Sequence, residues 1–235
     1  PGGKISVIYN GYVSRTENDS EATDAVGLPG VPIHGPVVGI VANLRPIKRI
    51  DTLIKAFALI GGQYPDAWLV VVGDDDQSQR GGSMLKELLD LATDLGIRER
   101  VIFAGRVADP TPYIKRFTIA VLCSESEGFS NSVIEYMQAG RPIVCTDTGG
   151  NPELVQDGRN GFLVPVGDAR ALADRLIRLL SDTALARRLG EAARETVQSS
   201  YTHTRMLAEQ MACYDEVLSG GRFGGLLQRA LGRIG

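Results

Sequence analysis

The chain has 235 residues, enough for one large or two small domains with a sizeable apolar core. A hydrophobic content of 43%, a charged content of 23% and a net charge of -3 suit a globular protein. That charge argues against a general nucleic-acid binder, which needs a basic excess to neutralise phosphates. Three separated cysteines without a CxxC pair, and only two histidines, argue against a disulfide framework, a zinc site and a Ser-His-Asp triad.

The start at Pro1 rather than Met, running into the strand-like KISVIYN (4–10), leads to the expectation of a fragment without its N-terminal part. Further strands are predicted at VVGIVAN (37–43), WLVVVG (68–73), VIFAG (101–105), TIAVLCS (118–124), PIVCT (142–146) and GFLVPV (161–166). Between them helical patterns cover 49–61, 83–96, 110–116, 132–140 and 151–158. Several strands are apolar at every position, as in a sheet covered on both faces. Short alternating β and α segments predict an α/β fold, a Rossmann-like doubly wound parallel sheet. Beyond Gly167 the pattern is helical throughout.

The boundaries that follow are 1–35 for a leading strand and linker, 36–200 for the sheet domain, 201–218 for a C-terminal helix and 219–235 for a basic tail. In that tail Leu226, Leu227, Ala230, Leu231 and Ile234 share a helical face flanked by Arg229 and Arg233. It reads either as a membrane-surface segment or as a frayed end with several glycines. The cysteine usage fits a reducing compartment, so the expected location is the cytoplasm, at the inner membrane face if the tail makes contact; there is no signal peptide and no run long enough to cross a bilayer.

The segment SESEGFSNSVIE (124–135) carries the chemistry. A strand, a glycine-containing loop and a helix start form an anion site, because unpaired N–H groups and the helix dipole point into the loop. The loop also holds Glu127, and Glu135 follows in the helix. An ionised carboxylate only accepts hydrogen bonds, so it suits sugar or ribose hydroxyls. A nucleotide sugar, with hydroxyls at both ends and a diphosphate between, would use every part. Ser132 and Glu135 also spell a capping box, which needs no ligand. Asp74, Asp75 and Asp76 read either as a D-x-D metal site or as a solvated acidic loop, and the second is favoured; no metal site is expected. Asn151 followed by Pro152 reads as an N-cap and first helical position behind the glycine turn 148–150.

Glu127 and Glu135, with seven residues between, resemble the E-x7-E motif of retaining GT-B glycosyltransferases. The run SESEGFSNSVIEYMQAGRPIVCTDTGGNPELVQDGRNGFLVPVGD, with VVGIVANLRPIKRIDTLIKAF, WLVVVGDD and RVIFAGRVADPTPYIKRF in order, is similar to glycosyltransferase family 4 (group 1). The resemblance extends from about Lys4 through Tyr214 and concerns the C-terminal, donor-binding domain.

It implies that Glu127 binds hydroxyls of the transferred sugar, Glu135 those of the ribose, and Lys48 the diphosphate. Gly128, Phe129, Ser130, Asn131 and Ser132 would present N–H groups to the ligand. The family's usual second cation is replaced by Asn43, with Arg45 nearby as a substitute. Arg106 and Val107 are expected at the base-contacting turn. The implied reaction is hexose transfer from a nucleoside diphosphate sugar to an acceptor hydroxyl with retention, as part of polysaccharide or glycoconjugate biosynthesis. The sugar nucleotide is a substrate, and no cofactor is expected. The acceptor domain would be the missing N-terminal part, leaving this fragment inactive alone. A non-catalytic nucleotide-sugar-binding module and a sugar-nucleotide epimerase of related fold are the alternatives. A dinucleotide oxidoreductase is set aside, since VANLRPIK stands where a G-x-G-x-x-G turn would be.

Overall fold

The computed structural model describes residues 7–12, 34–75 and 83–220. The chain divides into two compact units, one of residues 15–198 and one joining 1–14 to 199–235.

The larger unit is a sheet of six parallel strands, β1 (Val37–Val41), β2 (Trp68–Val72), β3 (Val101–Gly105), β4 (Ile119–Leu122), β5 (Ile143–Thr146) and β6 (Phe162–Val164), in the order β3-β2-β1-β4-β5-β6. Each predicted run from 37 onward therefore holds one strand. The ends differ by a residue or two where backbone leaves the ladder, as at Ala42, whose N–H still bonds Val72 O at 2.9 Å. Val38, Ile40, Leu69, Val71, Ile119, Val121 and Val144 are fully buried, as strands covered on both faces require.

The strands are connected by α1 (Ile50–Ile60), α2 (Met84–Asp94), α3 (Thr111–Arg116), α4 (Asn131–Gln138) and α5 (Asn151–Leu154), and α6 (Ala169–Ser181) and α7 (Thr183–Ser200) follow β6. In α1, Ile50, Leu53, Ile54, Phe57 and Ile60 recur at helical spacing and are buried, joining α6 residues Leu172, Leu176 and Leu179 in one core. Winding runs outward from β1 through β2 to β3, then restarts beyond β1 with β4, β5 and β6. Ligands of such sheets bind where the order reverses, outside the carboxyl ends of the central strands. Here that point lies between β1 and β4.

The smaller unit contains α8 (His203–Gly220). The expected leading strand at 4–10 needs correction: residues 7–10 form no strand ladder, and residues 4–6 lie outside the described residues. The segment is instead tied down just before α8. Tyr12 forms a single parallel bridge with Thr202, and the Tyr9 and Tyr201 rings meet edge to face at 5.8 Å. Gly11 permits this approach, since a Cβ there would lie 2.4 Å from Thr202 O. The tail residues 221–235, with the amphipathic face read from sequence, lie outside the described residues. Among the described residues no helix is long and apolar enough to cross a membrane.

Candidate functional site

At the end of β1 the chain makes a 3-10 turn, Pro46–Lys48, before α1. Pro46 fixes φ at the first position of that turn, and Lys48 N–H closes onto Arg45 O at 2.9 Å. Arg49 then takes the left-handed conformation (φ 48°), the one positive φ outside glycine among the described residues. A side chain there is strained, and ion pairs with Asp51 (3.2 Å) and Glu125 (3.5 Å) hold it. Beneath the turn, Cys123 Sγ donates to the carbonyls of Lys48 and Arg49 at 3.2 and 3.1 Å. Burial pushes this thiol from an ordinary 9.0 to about 12, so it keeps the proton that it donates.

Across the reversal point, the loop after β4 returns the contact. Lys48 Nζ lies 2.5 Å from Glu127 Oε1, with the two side chains 24% and 11% exposed. Ser124 Oγ donates to the same Oε1 at 2.5 Å. The loop's carboxylate is thus charge-paired, and among the described residues Lys48 spends one of its three donors on it.

The helix that follows begins earlier than its sequence suggests. The N-cap is Ser130, whose side chain accepts from Val133 N–H; Ser132 lies inside α4 and donates from Oγ to Val41 O at 3.0 Å. The capping-box reading is therefore corrected. Ser132 ties α4 to β1, and half-buried Glu135 falls in the second turn rather than at the cap. Tyr136 adds a second tie, its hydroxyl accepting Val41 N–H at 2.7 Å. Gly140 ends the helix at φ 63°, with bonds from Gly140 N–H to Met137 O and from Arg141 N–H to Tyr136 O.

A second loop pins the first. Gly150 N–H donates to Gly128 O at 2.9 Å and Thr148 Oγ1 to Glu125 O at 3.1 Å. Gly149 takes φ 54°, and a Cβ there would lie 1.7 Å from Glu127 O. The glycine turn thus lets loop approach loop. Asn151 is not the N-cap expected: Gly150 holds that position, and Asn151 Nδ2 donates to Thr146 O at 3.0 Å.

The sequence-predicted residues fall into three places. Lys48, Glu127, Gly128, Phe129, Ser130, Asn131, Ser132 and Glu135 lie on the loops and helix beside the reversal point, where Gly128 and Asn131 are exposed and Ser130 is buried. Asn43 and Arg45 are exposed on the same β1 loop. Arg106 and Val107 follow β3, beyond β2, where Arg106 pairs with Asp74 at 3.7 Å. Asp75 accepts from Ser83 Oγ (2.8 Å) and Leu85 N–H (3.2 Å), so it fixes the start of α2; Asp76 lies outside the described residues. Residue type and spacing do not mark Ser124, Cys123 and Tyr136 as site residues. A groove of about 660 Å³ runs between α1 and α2, with Arg45, Ile47 and Arg49 of the β1 loop and Glu125 of the β4 loop on one side and Met84 and Leu88 on the other.

Residues 30–196 match the family model described as glycosyl transferases group 1. The chain belongs to that family. This group 1 glycosyltransferase chain is 31% identical over 224 residues to the N-acetyl-alpha-D-glucosaminyl L-malate synthase of Bacillus anthracis, covering 95% of this chain and 57% of that protein. The chain spans about half the length of the curated relatives it matches. Among solved structures, HepE of Anabaena in complex with UDP-glucose superposes with a TM-score of 0.70 at 28% identity, over 76% of this chain and 49% of that one. The C-terminal domain of a group 1 glycosyl transferase (LpcC) from Francisella tularensis superposes with a TM-score of 0.66 at 27% identity, over 72% of this chain and 87% of that one. The Rossmann-like sheet is that of the GT-B glycosyltransferases.

Proposed function

We propose that this chain is the donor-binding half of a retaining glycosyltransferase, which transfers a hexose from a nucleoside diphosphate sugar to an acceptor hydroxyl. The observation that carries the reading is the Lys48–Glu127 pair across the reversal point of the sheet, beside the N-terminus of α4. A ligand seated there meets a cation, helix N–H groups and hydroxyl-accepting carboxylates within one short stretch. Two likenesses support it: HepE holds UDP-glucose, and the matched Francisella structure is a C-terminal domain.

In this reading Lys48 and the N–H groups of Gly128 to Ser132 stabilise the charge that grows on the leaving diphosphate. Arg45 supplements Lys48 where Asn43 supplies no charge. Glu127 accepts from hydroxyls of the transferred sugar, Glu135 from the ribose, and the turn at Arg106 and Val107 meets the base. Glu127 is already engaged by Lys48 and Ser124, so it is not cast as a nucleophile. The β-phosphate oxygen takes the acceptor's proton as the sugar leaves, which keeps the incoming hydroxyl on the departing face and retains configuration. The acceptor is held by a separate N-terminal domain, so this chain alone transfers little or no sugar.

The test is calorimetric titration of the chain with UDP-glucose, UDP-N-acetylglucosamine, GDP-mannose and ADP-glucose, beside Lys48→Ala and Glu135→Ala. One donor should bind, and each substitution should weaken it about tenfold or more. Binding that neither substitution affects would sink the site assignment.

A further inference from the structure

Ser124 is fully buried at the end of β4, and the donor-binding reading above gives it no role. Its surroundings are specific. The Ser124 carbonyl accepts Thr146 Oγ1 at 2.7 Å, and Thr146 at the end of β5 is itself buried. The neighbouring strand thereby fixes the backbone from which the hydroxyl projects. That hydroxyl has one proton, and it goes to Glu127 Oε1 at 2.5 Å.

Lys48 Nζ reaches the same oxygen from the β1 loop. Two donors from two loops therefore converge on Oε1, while among the described residues none is directed at Oε2. A glutamate carboxylate turns readily about its last torsion, and a lysine ammonium on a long flexible stem does little to stop it. A short O–H···O⁻ bond from a buried hydroxyl does stop it.

We propose that Ser124 is a positioning residue. It locks the Glu127 carboxylate by Oε1, so that Oε2 is presented to a hydroxyl of the bound sugar. This rests on the donor-binding reading and adds one consequence to it: Ser124 acts on the sugar end of the ligand through Glu127 and leaves the nucleotide end alone. Because Oε2 can only accept, the group opposite it must donate, which selects a sugar bearing a free hydroxyl there.

The test is a double-mutant cycle on the chain, with Ser124→Ala, Glu127→Ala and the pair. Each is titrated with whichever of the four sugar nucleotides the wild type binds, and with the matching nucleoside diphosphate. Ser124→Ala should weaken the sugar nucleotide about five- to tenfold. It should change nucleoside diphosphate affinity by less than about twofold, and cause no further loss in the Glu127→Ala background. Ser124→Cys, similar in size with a weak donor, should fall between wild type and alanine and serves if the alanine variant does not fold. Equal weakening of both ligands, an independent loss beside Glu127→Ala, or no loss at all would overturn the role of Ser124 alone. A folded wild type that binds neither sugar nucleotide nor nucleoside diphosphate would instead overturn the donor-binding reading, and this role with it.

Discussion

Lys48 and Glu127 meet at 2.5 Å across the reversal point of the sheet, joining the loop after β1 to the loop after β4. The contact explains how a carboxylate can stand in a loop that we propose binds a diphosphate. Its charge is balanced by a cation with donors to spare, so a diphosphate arriving at Lys48 is not simply repelled.

The two partners should therefore separate in their effects. Lys48→Ala should weaken a nucleoside diphosphate and its sugar conjugate alike, by about tenfold or more. Glu127→Ala should weaken the conjugate much more than the nucleoside diphosphate. Titration calorimetry reads both, and a Lys48 effect confined to the conjugate would contradict this division of roles.

Gly149 should tolerate no side chain. Its positive φ alone makes alanine cost about 1–3 kcal/mol, and the added Cβ would collide with the Glu127 carbonyl. Gly96 also has a positive φ, 68°, but open space around it, and is the control. In urea unfolding, Gly149→Ala should lose clearly more stability than Gly96→Ala. Equal losses would mean that the two loops do not need their close approach.

Tyr136→Phe keeps the buried ring but removes the acceptor of Val41 N–H. The orphaned donor should cost about 1–3 kcal/mol, measured by chemical denaturation. An unchanged midpoint would show that Val41 N–H finds another partner.

Stability should fall at alkaline pH. Burial raises the Cys123 thiol from 9.0 to about 12 and raises Cys145 and Tyr136 as well. Above pH 9 the unfolded chain loses protons that the folded chain keeps. The stabilisation is therefore full below that pH and declines as pH rises towards 12. The urea midpoint should drop between pH 8.5 and roughly pH 10.5, and Cys123→Ala should flatten part of the slope. A flat profile for the wild type would contradict the burial of these groups.

Much of the fold is legible because its strands are continuous apolar runs between turn signals, a local property. VIFAG is a strand from its first residue to its last. The strand order is not local, since β1 pairs with β4 across the intervening β2 and β3. Residues 7–10 misled for the opposite reason: an apolar run makes a strand only if an edge is available, and theirs is a single bridge at Tyr12. In the site, the glutamates, lysine and glycines announce themselves by type and spacing. Ser132 misled because its spacing to Glu135 fits a capping box, while its hydroxyl is drawn to Val41 O on a strand that the local pattern cannot see. Ser124 gives no local signal, since only the folded loop brings it to Glu127. Arg49 gives none either, because a left-handed residue is usually read from a glycine.

In the proposed function a sugar nucleotide binds where Lys48 meets Glu127. Amide chemical-shift mapping of the isotope-labelled chain with UDP-glucose, UDP-N-acetylglucosamine, GDP-mannose and ADP-glucose tests it most directly. One of them should shift residues 43–49 and 124–135 together, and Lys48→Ala should move that response to about tenfold or more higher ligand concentration. Shifts confined to α2, or none from any of the four in a folded chain, would contradict it.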